Sequence, residues 1–297
     1  IALAEKLRLP LLQAYYAPFT PTRAYPSFLF PKLPAWFGGA LNRLSYQLAR
    51  LMMWQGFRAA DRVARRDVLD LPAAPFWGPF PADDAGSSPI LYGYSPSVLP
   101  PPRDWHTSIH VTGYWFLEAP AGWQPSPALV DFLQAGPPPV FIGFGSMGSQ
   151  KPEQTTALTL QALAQTGQRG VLLSDWNGLH AEALPDSVFL TGSVPYTWLF
   201  PQMRAVVHHG GAGTTAAGLA AGVPSILAPF MGDQPFWGRL VHQLGVGPKP
   251  IPRRRLTVDR LSEAIQVAVT DAGMRQAAAR LGECIREEDG VARAVAV

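Results

Sequence analysis

The chain has little of what marks secreted, membrane-spanning or nucleic-acid-binding proteins. It contains one cysteine, Cys284, among 297 residues, which excludes an internal disulfide framework and favours a reducing compartment. No apolar run approaches the ~20 residues that span a bilayer, and no segment is typical of a signal peptide. No nucleic-acid-binding motif is present. We therefore expect a cytoplasmic globular protein of about two domains that binds no nucleic acid.

Charge of either sign is also modest. Charged residues make up 15% of the chain, and the formal net charge is +3. Because the basic residues are not clustered on one segment, an ordinary solvated surface is expected. Peripheral contact with an anionic membrane surface remains open.

One segment, Arg204 to Gly238, carries most of the information (RAVVHHGGAGTTAAGLAAGVPSILAPFMGDQPFWG). It predicts an apolar strand, two histidines, a glycine-rich turn that opens a small-residue helix, and a second strand before Asp233-Gln234. Such a turn makes an anion site, because unpaired N–H groups and the positive helix end point at one place. The glycines let a phosphate approach closely, and the threonines offer hydroxyl donors. The residues concerned are Gly210, Gly211, Gly213, Thr214 and Thr215.

Strands and helices alternate beyond residue 125. This pattern predicts an α/β protein with a parallel, doubly wound sheet, in which ligands bind at the carboxyl ends of the strands. Pro152 marks a helix start, Thr257 caps another helix, and a final helix is predicted over Met274–Glu287. The predicted strands are Val140–Gly143, Gly170–Leu173, Val188–Leu190, Ala205–Val207 and Ser225–Leu227.

The first 125 residues are rich in proline and aromatic residues and show weak periodicity. We expect an opening helix, a strand over Leu9–Ala17 and a long helix capped by Asn42. The long helix is predicted to bury an apolar stripe and to solvate a basic face. A wall of a lipid pocket and a membrane-surface face are the alternatives. The stripe comprises Leu44, Leu48, Leu51, Met52 and Phe57, and the basic face comprises Arg58, Arg62, Arg65 and Arg66.

The motifs HHGGAGTTAAG and GDQPFWG resemble the nucleotide-sugar signature of the UDP-glycosyltransferase superfamily, in the form found in sterol 3-beta-glucosyltransferases. FIGFGSM, PYTWLF and GVGPKPIP extend the resemblance over most of the chain. It implies the GT-B fold, with two Rossmann-like domains of which the first is incomplete. Residues 1–125 would belong to the acceptor domain, 126–273 to the donor domain, and 274–297 to a helix and tail that cross back. Roughly the first hundred residues of the family pattern would precede Ile1.

The resemblance also implies a donor site for a UDP-sugar, which would be a co-substrate held without a metal or a cofactor. His209 would hydrogen-bond the pyrophosphate, and Asp233 with Gln234 would read the sugar hydroxyls. Trp176 and the backbone of Val194 would hold uracil. The other predicted phosphate contacts are Ser146, Gly211, Gly213 and Thr214. The neighbouring His208 is expected to be structural.

Two features depart from the family pattern. Ala216, Ala217 and Gly218 stand where the plant small-molecule branch has a glutamate that grips ribose. The family's general base, a histidine in a glycine-rich loop, is expected upstream of Ile1, so no residue of this chain is a catalytic candidate. The remaining histidines are assigned to surface or packing: His106, His110, His180 and His242. The pair Asp83-Asp84 is expected to be a solvated turn.

The leading interpretation is an inverting transfer of glucose from UDP-glucose to a hydroxyl of a sterol or similar lipid, with this chain inactive by itself. One alternative is a transferase for a macrolide, glycopeptide or carotenoid-type acceptor that uses a UDP- or dTDP-sugar. A second is a non-catalytic donor-binding module that needs a partner for the acceptor half.

Overall fold

The computed structural model describes residues 1–31, 38–80, 88–144, 152–174 and 184–297. The chain divides into two compact units: residues 1–115 together with 289–297 form the first, and residues 116–288 form the second. The domain limits predicted near residues 125 and 273 stay predictions. No helix in the described ranges is long and apolar enough to cross a membrane.

The strands are β1 Gln13–Tyr15, β2 Ile90–Tyr92, β3 Ile109–Val111, β4 Val140–Gly143, β5 Gly170–Leu173, β6 Val188–Thr191, β7 Ala205–His208 and β8 Ser225–Leu227. The α-helices are α1 Ala2–Leu7, α2 Gly38–Val63, α3 Pro127–Gln134, α4 Pro152–Thr166, α5 Tyr196–Leu199, α6 Ala212–Ala220, α7 Gln234–Gln243, α8 Val258–Thr270, α9 Ala272–Arg286 and α10 Gly290–Val295.

The second unit is built on a parallel five-stranded sheet with the order β6-β5-β4-β7-β8. Each strand predicted in this region is present, and two extend one residue further, to Thr191 and His208. Because parallel neighbours require crossover connections, helices cover both faces of the sheet. The α/β class and the doubly wound sheet are confirmed.

Alternate residues of the central strand face two separate cores. Val140 and Ile142 lie in one core and Phe141 in the other, and all three side chains are fully buried. Residues of α4 and α8 pack on the first face, and residues of α3, α5 and α6 pack on the second. Burial on both faces explains why these strands read as continuous apolar runs rather than alternating ones.

Side-chain caps set the starts of several helices in the second unit. The hydroxyl of Thr257 accepts a hydrogen bond from the backbone N–H of Arg260, at 3.4 Å, so the predicted cap of α8 is confirmed. The carboxylate of Asp271 accepts from the N–H of Met274, at 3.0 Å. Helix α9 therefore starts before Met274, and the predicted start of the final helix was wrong. A further helix, α10, follows it in the chain.

The first unit contains a parallel sheet of β1, β2 and β3 in that order. The strand predicted over Leu9–Ala17 is shorter, since only Gln13–Tyr15 pairs with β2. The predicted cap of the long helix was wrong. Helix α2 begins at Gly38, and Asn42 lies inside it with its amide donating to the carbonyl of Arg23, at 2.9 Å.

The apolar stripe of α2 is exposed, contrary to the prediction. Leu48 is 44% exposed and Met52 is 60% exposed, whereas Trp54 on another side of the helix is 6% exposed. The helix buries the side that carries its largest aromatic residues, because these remove the most apolar area from water. Arg65 of the predicted basic face is also buried, and its guanidinium pairs with the carboxylate of Glu5 at 2.7 Å. Of the other stripe residues, Leu44 and Phe57 are exposed and Leu51 is half-buried.

Two substitutions on α2 test which side supports the unit. Trp54→Ala should lower the free energy of unfolding by about 3–5 kcal/mol, because it empties a buried site. Leu48→Gln should change it by less than about 0.5 kcal/mol, since the side chain is already hydrated. Urea unfolding followed by circular dichroism measures both. A larger loss for Leu48→Gln than for Trp54→Ala would show that the stripe is the packed side.

Candidate functional site

The glycine-rich turn follows the carboxyl end of β7 and is held there by His208. This residue ends β7 and is fully buried. The backbone N–H of Gly210 donates to His208 Nδ1, at 3.0 Å. Gly210 has a φ of +90°, a conformation that favours glycine, and a Cβ there would lie 3.0 Å from Leu227. His208 therefore has the structural role expected of it, as the acceptor that fixes the turn.

The electrostatics of His208 follow from its burial. Burial in the sheet, and secondarily the neighbouring His209, lower the pKa of His208 from 6.5 to about 3. The ring is thus neutral, with Nδ1 as acceptor and the proton on Nε2. Nε2 has no hydrogen-bond partner among the described residues. A neutral ring is what the acceptor role requires, since a protonated Nδ1 could not accept from Gly210.

The turn brings His209 against Gly211 and close to Asp233. The imidazole lies so near Gly211 that a Cβ there would be 2.5 Å from His209 Nε2. The charge of His209 acts to lower the pKa of Asp233, although burial, the larger effect, leaves that pKa raised above its ordinary value. Two elements that follow neighbouring strands, β7 and β8, therefore place an imidazole and a carboxylate at the same edge of the sheet.

Helix α6 opens towards this edge without a side-chain cap. Its N-cap is Gly211, which offers no side chain to the first N–H groups. Gly213 in the first turn is exposed, and a Cβ there would meet nothing within 4 Å. Thr214 is half-buried, whereas Thr215 is fully buried. The expectation that Thr215 offers a hydroxyl to a ligand was therefore wrong, because its side chain points into the packed interior.

The pair after β8 is already engaged in local hydrogen bonds. The carboxylate of Asp233 accepts from the indole N–H of Trp237, at 2.8 Å. The amide oxygen of buried Gln234 accepts from the backbone N–H groups of Phe230 and Met231, at 2.7 and 3.3 Å. These contacts fix the loop between β8 and α7. They leave the second carboxylate oxygen of Asp233 and the amide N–H groups of Gln234 as the groups suited to bind hydroxyls.

Val194, one of the two predicted uracil contacts, falls further along the same edge. Val194 follows β6 and is half-buried against the core that contains Phe141. Since β6 and β7 are three strand spacings apart, about 14 Å separates the strand ends. A ligand that touched both ends would need the length of a nucleoside diphosphate rather than of a free phosphate. The predicted contacts Ser146 and Trp176, and also His180 and Asp83-Asp84, lie outside the described residues.

Arg253, to which no sequence motif pointed, lies at the same edge. Its guanidinium lies over the rings of Phe144 and Phe230, at 5.8 and 5.6 Å from their centroids. It donates to the hydroxyl of Thr155 in the first turn of α4, at 2.5 Å. Partial burial lowers the pKa of Arg253. The helix dipole disfavours a cation near a helix N-terminus unless an anion is also present. No local pattern pointed to Arg253, because it is one of three consecutive arginines, 253–255.

The other described histidines are His106, His110 and His242. His106 Nδ1 is 2.8 Å from the hydroxyl of Ser108. His110 lies in β3 and is half-buried. His242 is exposed near the end of α7. Each has a local surface or packing environment.

The buried state of His208 predicts a specific pH dependence of stability. The native ring stays neutral while the unfolded chain takes up a proton below pH 6.5, so the free energy of unfolding should fall as the pH falls towards 3. Between pH 7 and pH 5 the contribution is about 2 kcal/mol. His208→Asn, which keeps an acceptor for Gly210 but does not titrate, should remove that contribution in urea unfolding. His242→Asn is the control for losing a histidine, and equal pH dependence in wild type and His208→Asn would refute the assignment.

The chain is similar to known glycosyltransferases. Residues 158–289 match the family model described as "Erythromycin biosynthesis protein CIII-like, C-terminal domain". The chain is 41% identical over 296 residues to a sterol 3-beta-glucosyltransferase of Arabidopsis thaliana. The matched region covers 98% of this chain and 45% of the relative. It is 37% identical over 320 residues to a sterol 3-beta-glucosyltransferase of Cryptococcus neoformans, covering 99% of this chain and 20% of the relative. The chain thus spans about half the length of the plant relative and about a fifth of the fungal one.

Solved structures share the fold at low sequence identity. The glycotransferase of kitacinnamycin superposes with a TM-score of 0.66 at 21% identity, covering 99% of this chain and 71% of that one. The calicheamicin glycosyltransferase CalG4 superposes with a TM-score of 0.65 at 19% identity, covering 99% and 70%. These neighbours establish the GT-B fold. Because the chain is similar to sterol 3-beta-glucosyltransferases over nearly all of its length, it belongs to the UDP-glycosyltransferase superfamily.

Proposed function

We propose that this chain forms part of a glycosyltransferase that moves glucose from UDP-glucose to the hydroxyl of a sterol. The observation that carries the proposal is the turn after β7, where His209 and the uncapped N-terminus of α6 converge beside Asp233. The reaction we propose is a direct displacement at the anomeric carbon with inversion, in which UDP leaves without help from a metal or a cofactor.

The diphosphate would bind at the first turn of α6. A helix N-terminus carries unpaired N–H donors and a partial positive charge, and both favour a phosphate. His209 would donate to the same group from the side, against Gly211. In a direct displacement, negative charge grows on the leaving diphosphate, so donors fixed in place before the reaction stabilise the transition state more than the ground state. Each well-placed donor of this kind typically contributes about 3 kcal/mol.

The sugar would lie beside the loop between β8 and α7. One oxygen of Asp233 accepts from Trp237, which fixes the carboxylate while the other oxygen is directed to a sugar hydroxyl. The oxygen of Gln234 holds the loop, so its N–H groups would provide the contact to the sugar. In this arrangement, the loop's internal hydrogen bonds set the position of the two groups that select the sugar.

The sterol acceptor is favoured by where the similarity lies along the chain. The family model covers residues 158–289, which lie in the second unit apart from the last residue. The similarity to the sterol glucosyltransferases covers 98–99% of the chain and so includes the first unit as well. Since acceptor selection is assigned to the first unit in our proposal, that unit favours a sterol over a macrolide-type acceptor. We assign no residue of this chain as the general base.

The acceptor is tested by a transfer assay with labelled UDP-glucose. The protein should be expressed from the complete reading frame that contains these 297 residues. We expect label on the sterol hydroxyl, with a kcat/KM for a macrolide lower by about tenfold or more, a difference of at least ~1.4 kcal/mol in transition-state binding. Preferred transfer to the macrolide would support the alternative acceptor. UDP binding without transfer to either would support a donor-binding module.

Gly213 provides a separate test of the diphosphate site. Because a Cβ at Gly213 meets no protein atom within 4 Å, Gly213→Ala should keep or raise the stability, by up to about 1 kcal/mol. The added methyl group would occupy the space proposed for the phosphate, so UDP affinity measured by calorimetry should fall by about tenfold or more. Gly56→Ala, also in a helix with nothing within 4 Å, is the matched control. Unchanged UDP affinity in Gly213→Ala would place the diphosphate elsewhere.

A further inference from the structure

A second concave site lies on the second unit, separate from the turn after β7. It is a groove of about 700 Å³ between one side of α7, the proline-rich segment 248–252 and one side of α8. Its lining includes Pro229 and Pro235, which flank the loop of Asp233, but neither the glycine turn nor Asp233 itself. We call it the basic groove, because of the charges described next.

The basic groove is strongly cationic. Four basic residues line it, Arg239, Lys249, Arg255 and Arg260, against one carboxylate, Glu263. The lining of the groove therefore carries an excess of three positive charges. A concave surface lined by one sign of charge attracts ligands of the opposite sign.

The segment that forms the floor of the groove is rigid and poor in hydrogen-bond donors. Prolines stand at positions 248, 250 and 252, where the ring fixes φ and no N–H is present. The segment is held against the end of β8 by the N–H of Ile251, which donates to Leu227, and by the N–H of Arg253, which donates to Pro229, both at 2.9 Å. Donors for a ligand on this side must therefore come from the cationic side chains, which suit an anion.

An apolar side chain lies among these cations and is partly open to solvent. Val267 lines the groove and is 37% exposed. Arg239 differs from the other cations because it is half-buried, and burial lowers its pKa. Exposed cations next to exposed apolar side chains are typical of surfaces that lie on a bilayer.

We propose that the basic groove binds the phosphate headgroup of an anionic phospholipid and so docks the second unit on a membrane surface. The choice of a lipid over a soluble phosphate rests on the proposed function, since a sterol acceptor resides in a bilayer, and on the exposed Val267 in the lining of the groove. Docking would hold the transferase at the surface from which its acceptor comes. The binding energy would come from three exposed cations and one half-buried cation in a preformed site.

Co-sedimentation with vesicles tests the groove directly. The chain is mixed with vesicles of phosphatidylcholine alone, or of about seven parts phosphatidylcholine to three parts phosphatidylglycerol. We expect binding to the anionic vesicles only. The double variant Lys249→Gln/Arg255→Gln should bind about 25-fold more weakly, from about fivefold for each cation removed from an anionic surface. Both residues are exposed, and a thermal melt checks that the double variant is folded.

A control double variant separates a site from diffuse charge. Arg254→Gln/Arg280→Gln removes the same charge from two exposed residues that do not line the groove, and should weaken binding less than twofold. An equal loss in the two double variants would overturn the proposal, as would failure of the wild type to bind anionic vesicles. Soluble glycerol 3-phosphate serves as a third probe, and its binding without vesicle binding would identify a soluble-phosphate site instead.

The same variants keep the groove distinct from the donor site. Lys249→Gln/Arg255→Gln should leave UDP affinity unchanged and should keep transfer to a sterol dispersed in detergent. Loss of UDP binding in this variant would mean that the groove belongs to the donor site, which overturns the proposal. Loss of transfer in the wild type with vesicle binding intact would refute the proposed function and not the groove.

Discussion

The site depends on one hydrogen bond, from the N–H of Gly210 to the buried ring of His208. It holds the chain in a left-handed turn where β7 ends, and thereby directs the first turn of α6 along the carboxyl edge of the sheet. The bond requires a neutral imidazole. Complete burial provides this by disfavouring the charged form. The sheet therefore positions the turn and also sets the protonation state of His208, because the core that buries the ring keeps Nδ1 available as an acceptor.

The groups that would meet a nucleotide sugar come from elements far apart in the sequence. His209 follows β7, Asp233 follows β8, and Arg253 joins the end of β4 to the first turn of α4. They converge because the carboxyl ends of parallel strands share one edge. Arg253, His209 and the first turn of α6 lie at that edge, with the carboxylate of Asp233 beside them. The basic groove extends the same pattern to a lipid headgroup, with arginine and lysine on a rigid proline-rich floor.

Predictions from the sequence succeeded where the information was local. The strands of the second unit, the cap at Thr257 and the glycine turn follow from short-range patterns, and the structure contains them. Predictions failed where partners decided the outcome. The stripe of α2 has a helical period, but a period does not say which side of a helix is covered, and the side with Trp54 is the buried one. Thr215 has the right residue type for a phosphate contact, but it follows the first turn and faces the core.

The sequence by itself determined the α/β class, the parallel strands and the glycine-rich turn, because each depends on residue types a few positions apart. It also determined the family, through motifs such as the turn in which Gly210 adopts a positive φ and His208 accepts a hydrogen bond from its N–H. Only the tertiary structure decided that His208 is neutral, that the oxygen of Gln234 is engaged and that Arg253 faces the sheet edge. It alone gathered Arg239, Lys249, Arg255 and Arg260 around one groove. Burial, desolvation and the meeting of distant side chains are properties of the packed chain, so no local pattern encodes them.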